Sequence, residues 1–327
     1  MEDHILEIKN LKIKYKLKSG YLYAVKDVSF NVKKGEMVAV VGESGCGKST
    51  IANAIMQLPV DGEIIEGEIL VNGRDLNRLS EKEMESVRGK EIGMIFQNPL
   101  DSLNPVYKTR SQITEALKLD HIGKKEADAI VEKLFSSVRM PDPRTCMNSY
   151  PHELSGGMRQ RVMIAMMIAR NPQFLIADEP TTALDVTVET QIMDILNDMK
   201  KTRNTSILLI THNFGLVAES ADRIVVMYAG QVVEQGTVYE IFDNPVHPYT
   251  HMLMKALPRK TKKEGRLVTI DGAVPKIKED VPGCHFANRC PFAREKCFCE
   301  TPDVQLISGE HSFRCHIQKE ELQWEKN

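Results

Sequence analysis

The feature that most constrains this chain is a glycine-rich loop between an apolar strand and a helix. The apolar run Val38–Val41 predicts a buried strand, and Gly42–Ser49 fits the pattern G-x-x-x-x-G-K-[ST]. Glycines permit backbone conformations that turn successive N–H groups toward one anion, and the following helix points its positive N-terminus at the same place. A chance glycine-rich turn is the alternative, but the motif requires a strand before it and a helix after it, and both are predicted here. The loop therefore predicts a nucleotide-phosphate site.

Each residue type in this loop has a physical role. The ammonium group of Lys48 adds a positive charge near the β- and γ-phosphates, and the Ser49 hydroxyl can hold Mg²⁺. The phosphate-binding residues predicted from the loop are Gly42, Ser44, Gly45, Cys46, Gly47, Lys48, Ser49 and Thr50.

Length and composition indicate a globular chain with one large domain and a smaller one. The sequence has 327 residues and a net charge of −2, so no basic field points to nucleic acid as the main partner. No apolar run is long enough to span a bilayer, and the acidic start of the chain lacks the apolar core of a signal peptide. We expect a cytosolic protein whose membrane role, if it has one, depends on partner subunits.

A second anion site is predicted at another helix start. Ser155 is a natural N-cap, and Gly156 and Gly157 leave bare N–H groups at the beginning of the helix that follows. The apolar body of that helix, Val162–Ala169, predicts a buried element, so its methionines are interpreted as core residues.

Three predicted strands end in polar residues that suit phosphate chemistry. The strand beginning at Phe174 ends in Asp178 and Glu179, which are placed to reach Mg²⁺ and to polarise an attacking water. Gln97 follows the short strand Ile92–Phe96, and His212 follows the strand Ser206–Ile210. In a parallel sheet the carboxyl ends of strands are where ligands bind. Taken alone, Gln97 and His212 are more commonly structural groups.

Together these motifs resemble the ATP-binding subunit of an ABC transporter over about residues 5–255. The resemblance rests on the glycine-rich loop, Gln97, Leu154–Gln160, Asp178-Glu179 and His212, in the order that the family shows, with Ala183-Leu184-Asp185 as a further match. It implies an α/β fold, namely a P-loop ABC ATPase domain over residues 1–257. That domain would have a RecA-like core, an antiparallel β subdomain and a helical subdomain at about residues 100–160.

The resemblance also implies roles for individual residues. Two such domains sandwich two ATP molecules head to tail, so that Ser155, Gly156, Gly157 and Gln160 bind the nucleotide held by the partner's loop. By the same resemblance Glu179 is the general base and His212 contacts the γ-phosphate. Asp178 belongs to the nucleotide site, Ser49 and Gln97 contact Mg²⁺, and Asp185 lies in a dimer loop. Tyr15 takes the adenine-stacking position, with Tyr21 and Tyr23 close by as alternatives.

Within that family the chain looks like the dipeptide/oligopeptide importer ATPases, a group that also includes nickel uptake systems. The resemblance is carried by Cys46, Phe96–Pro105, His247–Thr250 and Pro282–Pro291. It implies an ATPase that powers import of di- or oligopeptides from the cytoplasmic face of the membrane. Its implied partners are a second ABC ATPase subunit, two transmembrane permease subunits and an extracytoplasmic peptide-binding protein, with no nucleic acid.

The last part of the chain, residues 258–327, is predicted to be a small Cys-rich domain after a charged linker at 259–266. Five of the seven cysteines lie there, and Cys284, Cys290, Cys297 and Cys315 have the spacing C-x5-C-x6-C-x17-C. Four thiolates suit a [4Fe–4S] cluster or a structural Zn²⁺, and the absence of short C-x2-C pairs favours the cluster. Cys299 could substitute for Cys297, His285 and His316 keep a mixed zinc site open, and unligated thiols are the remaining alternative.

Two other classes of function are alternatives to transport. A soluble ABC-type ATPase acting on DNA or ribosomes usually has two such domains in one chain or a long coiled coil, and this sequence has neither. A redox-sensing regulator would use the Cys-rich tail as its sensor, so its ATP turnover would change when that tail is oxidised.

Overall fold

The computed structural model describes residues 3–58, 60–98, 102–182, 184–257, 270–278 and 282–322. Within them the strands are β1 (His4–Lys16), β2 (Tyr21–Lys33), β3 (Met37–Val41), β4 (Glu63–Val71), β5 (Arg74–Asp75), β6 (Ile92–Ile95), β7 (Phe174–Asp178), β8 (Ser206–Ile210), β9 (Arg223–Tyr228), β10 (Gln231–Thr237), β11 (Val304–Ser308) and β12 (His311–Arg314). The α-helices are α1 (Lys48–Ile55), α2 (Glu81–Val87), α3 (Thr109–Lys118), α4 (Lys124–Ser137), α5 (Pro143–Asn148), α6 (Gly156–Met167), α7 (Val186–Arg203), α8 (Phe214–Ser220), α9 (Val238–Asp243), α10 (Pro248–Ala256) and α11 (Glu295–Cys299).

The chain divides into two compact units. The first unit comprises Met1–Ile5, Val32–Met37 and Leu76–Ile210. The second comprises Leu6–Asn31, Val38–Asp75 and Thr211–Asn327. Each unit is therefore assembled from segments that are distant in sequence.

The first unit is built on the parallel strands β6, β7 and β8. Strand β7 lies between the other two, with Phe174 opposite Ile92 on one side and opposite Ser206 on the other. All three strands are buried along their whole length, as expected for parallel strands covered on both faces. Helices α3 and α4 contact each other and both α5 and α6, α6 also contacts β6, and α7 contacts β8. The carboxyl ends of β6 and β7 thus lead to Gln97 and Glu179 on neighbouring strands.

The second unit contains an antiparallel sheet in the order β2-β1-β4-β5. The pairing of β1 with β4 places Leu6 opposite Val71 and Ile8 opposite Ile69. These four side chains are at most 2% exposed, so the alternating apolar pattern of β1 marks its buried face.

The other strands of the second unit follow the order β11-β12-β10-β9-β3. Strand β3 pairs in parallel with β9, whereas β9, β10, β12 and β11 are joined by antiparallel pairs. The tail therefore adds two strands beside β10. Its Phe286 lies in one apolar cluster with Tyr228 and Tyr249, and Phe313 lies in another with Val246.

Most of the predicted elements are confirmed, with ends shifted by a few residues. The strands predicted at Val38–Val41, Ile92–Phe96 and Ser206–Ile210 are β3, β6 and β8. The Cys-rich tail contains the strands β11 and β12, and it contributes Phe286 and Phe313 to the two apolar clusters just named. The charged linker at 259–266 lies outside the described residues, as do residues 99–101 of the Phe96–Pro105 motif. The division into domains at 257 and 258 stays a prediction, as does the helical subdomain at about 100–160.

In the part of the chain that the structure describes, no helix combines the length and the apolar character needed to cross a membrane.

Candidate functional site

The glycine-rich loop has backbone conformations that side chains would prevent. Gly42 has φ +153°, and a Cβ there would lie 2.2 Å from the carbonyl oxygen of Met227. Gly47 has φ +102°, and its Cβ would lie 2.4 Å from the carbonyl oxygen of Ala24. Both positions therefore require glycine on conformational and steric grounds. The loop passes from β3 into α1 through these two residues, which is the strand–loop–helix arrangement that the motif predicts.

Lys48 lies over the loop with its ammonium group on backbone carbonyls. Its Nζ donates to the carbonyl oxygens of Gly42 at 2.8 Å and Glu43 at 3.2 Å, and the residue is 5% exposed. The lysine charge is thus held against the loop, while Ser44, Gly45 and Ser49 remain exposed.

Cys46 and Thr50 complete the loop and the first turn of α1. Cys46 is buried, and burial raises the pKa of its thiol, opposed by the charge of Lys48. Tyr15 interacts with the side chains of Thr50 and Glu63, and burial raises the pKa of its phenol. Among the three candidate tyrosines, Tyr15 is therefore placed beside a residue of the loop.

His212 follows a residue that contacts the strand leading into the loop. The backbone N–H of Thr211 donates to the carbonyl oxygen of Val40 at 3.3 Å. His212 is exposed, and the next residue, Asn213, caps α8 through a 3.0 Å bond from Gly215 N–H.

In the first unit the predicted base and the predicted Mg²⁺ contact are hydrogen-bonded to each other. Gln97 Nε2 donates to Glu179 Oε2 at 2.8 Å, and Thr182 Oγ1 donates to the same oxygen at 2.9 Å. Glu179 has φ +45°, a left-handed conformation that is strained for glutamate, and its N–H donates to the Ile210 carbonyl at 2.8 Å. Asp178 precedes it at the end of β7 and is 6% exposed. The carboxylate of Glu179 is thus held in one orientation.

The Ser-Gly-Gly segment lies at the start of α6, as predicted. Ser155 caps the helix by accepting from Met158 N–H at 3.3 Å. A Cβ on Gly157 would lie 2.7 Å from Val188 Cγ1, whereas a Cβ on Gly156 would meet its nearest atom at 3.9 Å. Gly157 therefore packs directly against the first turn of α7.

Asp185 caps α7 by accepting from Val188 N–H at 2.9 Å. Val188 thus links Asp185 with the glycine pair at the start of α6. Ala183, the first residue of the predicted dimer loop, lies outside the described residues.

Gln160 has a different environment from the other residues of its motif. It is 2% exposed, and its Nε2 donates to the carbonyl oxygen of Pro180. In this structure its side chain supports the turn after Glu179, and its contact with a partner's nucleotide stays a prediction.

Three residues that the sequence analysis did not single out surround the start of the loop. The carboxylate of Glu43 accepts from Arg289 Nη1, and the N–H of Glu43 donates to the Tyr249 hydroxyl at 3.0 Å. Tyr249 and Arg289 both belong to segments that carried the importer resemblance, His247–Thr250 and Pro282–Pro291. The importer resemblance of those two segments is the sequence signal that points to Tyr249 and Arg289, although their positions in the sequence do not indicate a contact with the loop.

The four tail cysteines with the predicted spacing lie within electrostatic range of one another. Burial, with smaller contributions from Cys315 and Cys297, raises the pKa of Cys284 to about 11. Burial, with contributions from the other three thiols, raises the pKa of Cys290 to about 12. Nevertheless, the described residues, which include all four, contain no group of three or more His, Cys, Asp or Glu side chains arranged to hold a metal ion.

Comparison with known proteins supports one family throughout. Residues 25–182 match the family described as ABC transporter, and residues 233–297 match the C-terminal region of oligopeptide/dipeptide transporters. The chain is also similar to the dimeric structure of a bacterial ABC transporter cassette, at 30% identity and a TM-score of 0.65, covering 71% of this chain and 98% of that one. A dimeric post-hydrolysis state of that cassette, bound to ADP and Pi, matches at 29% identity with the same TM-score and coverage.

Relatives of known role cover nearly the whole chain. The oligopeptide transport ATP-binding protein OppD of Bacillus subtilis is 49% identical over 311 residues, which is 94% of this chain and 87% of that protein. The dipeptide transport ATP-binding protein DppD of Escherichia coli is 44% identical over 315 residues, 95% of this chain and 96% of that protein. The chain therefore belongs to the ABC ATPases, in the family of oligopeptide and dipeptide transport ATP-binding proteins.

Proposed function

We propose that this ABC ATPase hydrolyses ATP to power the import of dipeptides or oligopeptides across a membrane. The observation that carries the proposal is the glycine-rich loop, where glycine is required at Gly42 and Gly47 and Lys48 lies over the loop carbonyls. The peptide cargo is supported by relatives named for oligopeptide and dipeptide transport that match nearly the full chain.

The nucleotide is proposed to bind in a head-to-tail dimer, with an identical or homologous ATPase subunit as partner. The helix start, where Ser155 is exposed and Gly156 and Gly157 are half-buried, supports this arrangement, because backbone N–H groups there can bind the phosphates of ATP held by the partner's loop. Asp185, whose helix packs against Gly157, would lie at the same dimer contact. The similar bacterial cassette was solved as a dimer, which also supports the proposal.

Within each subunit we assign Gly42, Ser44–Ser49 and Thr50 to the phosphates and Glu179 to activation of water. The carboxylate of Glu179 accepts hydrogen bonds from Gln97 and Thr182, which orient it for that task. The other roles stay predictions: adenine stacking by Tyr15, γ-phosphate contact by His212, nucleotide contact by Asp178, and Mg²⁺ contacts by Ser49 and Gln97.

The remaining components of the importer are proposed from family membership. They are two transmembrane permease subunits, with the ATPase bound peripherally at the cytoplasmic face of the membrane, and an extracytoplasmic peptide-binding protein. Nucleic acid is not expected as a partner, given the net charge of −2.

The test is uptake by the assembled transporter in proteoliposomes. The chain is reconstituted with its permease subunits and binding protein, and radiolabelled peptide uptake is measured with ATP, without ATP, and with the Glu179→Gln variant. We expect peptide uptake that depends on ATP and is abolished in the Glu179→Gln variant. ATP-dependent uptake of ⁶³Ni²⁺ without peptide uptake would replace the proposed cargo, and ATP hydrolysis with no uptake of either would overturn the transport role.

We also propose that Cys284, Cys290, Cys297 and Cys315 form the ligand set of a Cys-rich C-terminal domain that holds a [4Fe–4S] cluster, with Zn²⁺ as the alternative. The support is that all four thiols interact electrostatically in one partly buried region. Because no metal-holding group is formed by the described side chains, binding would require the thiols to lose protons and to rotate toward one point. Metal and acid-labile sulfide analysis of anaerobically purified protein tests it. About four iron and four sulfide per chain would support the cluster, one zinc without sulfide would support the alternative, and neither would remove the proposal.

A further inference from the structure

Arg289, in the tail, has a buried guanidinium group that contacts the nucleotide-binding loop. Its side chain is 6% exposed, and its Nη1 donates to both carboxylate oxygens of Glu43 at 3.1 Å. The same nitrogen donates to the Tyr228 hydroxyl at 3.1 Å, and the guanidinium lies 5.5 Å from the centre of the Tyr228 ring. All three residues belong to the second unit. A residue of the tail thus neutralises the carboxylate of the second loop residue.

Glu43 is fixed by its backbone as well as by its carboxylate. Its N–H donates to the Tyr249 hydroxyl at 3.0 Å, while its carbonyl oxygen accepts from Lys48 Nζ at 3.2 Å and from Cys46 N–H at 3.3 Å. Glu43 therefore helps to fix where the lysine charge lies, together with the Gly42 carbonyl, which accepts from Lys48 Nζ at 2.8 Å. Any group that holds Glu43 also holds the loop that receives phosphate.

The charge of Glu43 is unfavourable for the ligand of this loop. The Glu43 side chain is 28% exposed, and Glu43 directly precedes the exposed Ser44 and Gly45 in the sequence. A carboxylate at this position repels a triphosphate unless a cation compensates it, and partial burial weakens screening by water and salt. Arg289 is that cation, and its charge-assisted hydrogen bonds to Glu43 both come from Nη1.

We propose that Arg289 is a positioning residue for ATP, which holds and neutralises Glu43 so that the loop accepts the triphosphate. The C-terminal segment is then part of the nucleotide site and not only an appendage to it. This inference rests on ATP binding by the loop and does not depend on which cargo the transporter carries.

Arg289 also has contacts that would make it a structural staple. Its Nε donates to the Asp271 carbonyl at 2.8 Å and its Nη2 to the Ile270 carbonyl at 3.0 Å. Replacement of Arg289 therefore removes two effects, the charge opposite Glu43 and the anchor of the 270–271 segment. A charge-removing change at Glu43 separates them, because it leaves both carbonyl contacts in place.

The experiment measures dissociation constants of the full-length chain for ATP and for adenosine, together with KM and kcat for ATP hydrolysis. The variants are Arg289→Gln, Glu43→Gln and the double variant. Arg294→Gln is the matched control, because Arg294 lies in the same segment but pairs with Glu321 on the surface, where both side chains are about half exposed. Thermal unfolding of every variant verifies that it is folded.

For Arg289→Gln we expect a dissociation constant and KM for ATP raised by about fivefold or more, with kcat at saturation within about twofold. Adenosine binding should be unchanged, and the defect should shrink between about 50 and about 500 mM salt. Glu43→Gln should bind ATP at least as tightly as wild type. The double variant should recover most of the loss, and Arg294→Gln should behave as wild type.

Wild-type affinity in Arg289→Gln would overturn the inference, as would a double variant no better than the single one. If Arg289→Gln does not fold, Glu43→Gln alone decides, because ATP binding weakened by more than about threefold would contradict the charge argument. Failure of the assembled transporter to import peptide would overturn the proposed cargo, but it would not alter the expected differences in ATP affinity between the variants and wild type.

Discussion

The side-chain amide of Gln97 donates a 2.8 Å hydrogen bond to the carboxylate of Glu179, 82 residues later in the chain. Gln97 follows β6 and Glu179 follows β7, so the parallel pairing of these strands brings the two side chains together. A second donor, Thr182 Oγ1, lies 2.9 Å from the same oxygen. Glu179 therefore has one oxygen engaged by two donors, which fixes the direction of its carboxylate.

We expect Glu179→Gln to retain ATP binding and to lose nearly all turnover, by a factor of about 10² or more. A glutamine side chain can still accept from Gln97 and Thr182, so the local geometry is kept, but an amide cannot accept a proton from water. Steady-state hydrolysis and equilibrium ATP binding are measured on the same preparations. Normal turnover in the variant would remove Glu179 from the role of base.

The matched control is Glu189→Gln, the same change at a carboxylate on α7. Glu189 Oε1 accepts from Thr181 Oγ1 at 2.8 Å, so it is a hydrogen-bonded glutamate near the same turn. The turnover of Glu189→Gln should stay within about twofold of the wild-type value, because the amide oxygen can still accept the hydrogen bond from Thr181. A hydrogen bond to a carboxylate contributes about 1.5–3 kcal/mol to stability.

Gly157→Ala should lower the free energy of unfolding by about 1–3 kcal/mol. The added methyl carbon would lie 2.7 Å from Val188 Cγ1, closer than carbon atoms can approach, so α6 and α7 must shift apart or Val188 must rotate. Urea denaturation followed by circular dichroism measures the change.

Two further variants test that steric explanation. Gly156→Ala places its methyl 3.9 Å from the nearest atom, so it should not destabilise the protein. Val188→Ala removes the obstructing methyl groups, so the double variant Gly157→Ala with Val188→Ala should lose less stability than the two single changes added together. If the losses in unfolding free energy of the two single variants simply add in the double variant, Gly157 and Val188 do not interact.

Local patterns in the sequence predicted the nucleotide-binding half of the chain well. The glycine-rich loop and the strands that end at Asp178 and Ile210 can be read from short windows, because strand period, helix caps and glycine requirements are properties of neighbouring residues. The N-cap at Ser155 was predictable for the same reason.

The contacts of the tail were not predictable in this way. Nothing in the spacing of residues 282–291 indicates that Arg289 bonds a glutamate 246 positions earlier. The pairing of β12 with β10 likewise joins Phe313 to Glu234, and β11 has the weak pattern of a mostly exposed strand. Long-range pairing depends on topology, which a single sequence without aligned relatives does not reveal.

Tyr15→Ala should raise the KM for ATP by about tenfold, whereas Tyr15→Phe should leave it within about twofold. Stacking on adenine needs the aromatic face, and the interaction of the hydroxyl with Thr50 and Glu63 is secondary to it. Tyr21→Ala is the control, because the Tyr21 ring lies near Lys14 on the surface. Equal effects of Tyr15→Ala and Tyr21→Ala would not fit stacking by Tyr15.

The stability of the second unit should fall as pH decreases below about 6.5 because His247 is buried in its neutral form. The residue is 1% exposed, and its Nδ1 accepts from Tyr249 N–H at 3.1 Å, which a protonated ring nitrogen cannot do. Burial lowers its pKa from 6.5 to about 3. Between these two pKa values the unfolded chain binds more protons than the folded chain, so lowering the pH reduces stability throughout that range. Below about pH 3 His247 causes no further loss of stability.

We expect His247→Asn to remove most of this pH dependence, because an asparagine oxygen can accept from Tyr249 N–H but does not titrate. From pH 7 to pH 5 the wild-type chain should lose about 2 kcal/mol more unfolding free energy than the variant does. Urea denaturation at both pH values measures the difference. His121→Asn, a change at an exposed histidine, should retain the wild-type pH dependence. If His247→Asn and wild type lose equal stability on acidification, the buried neutral histidine is not its source.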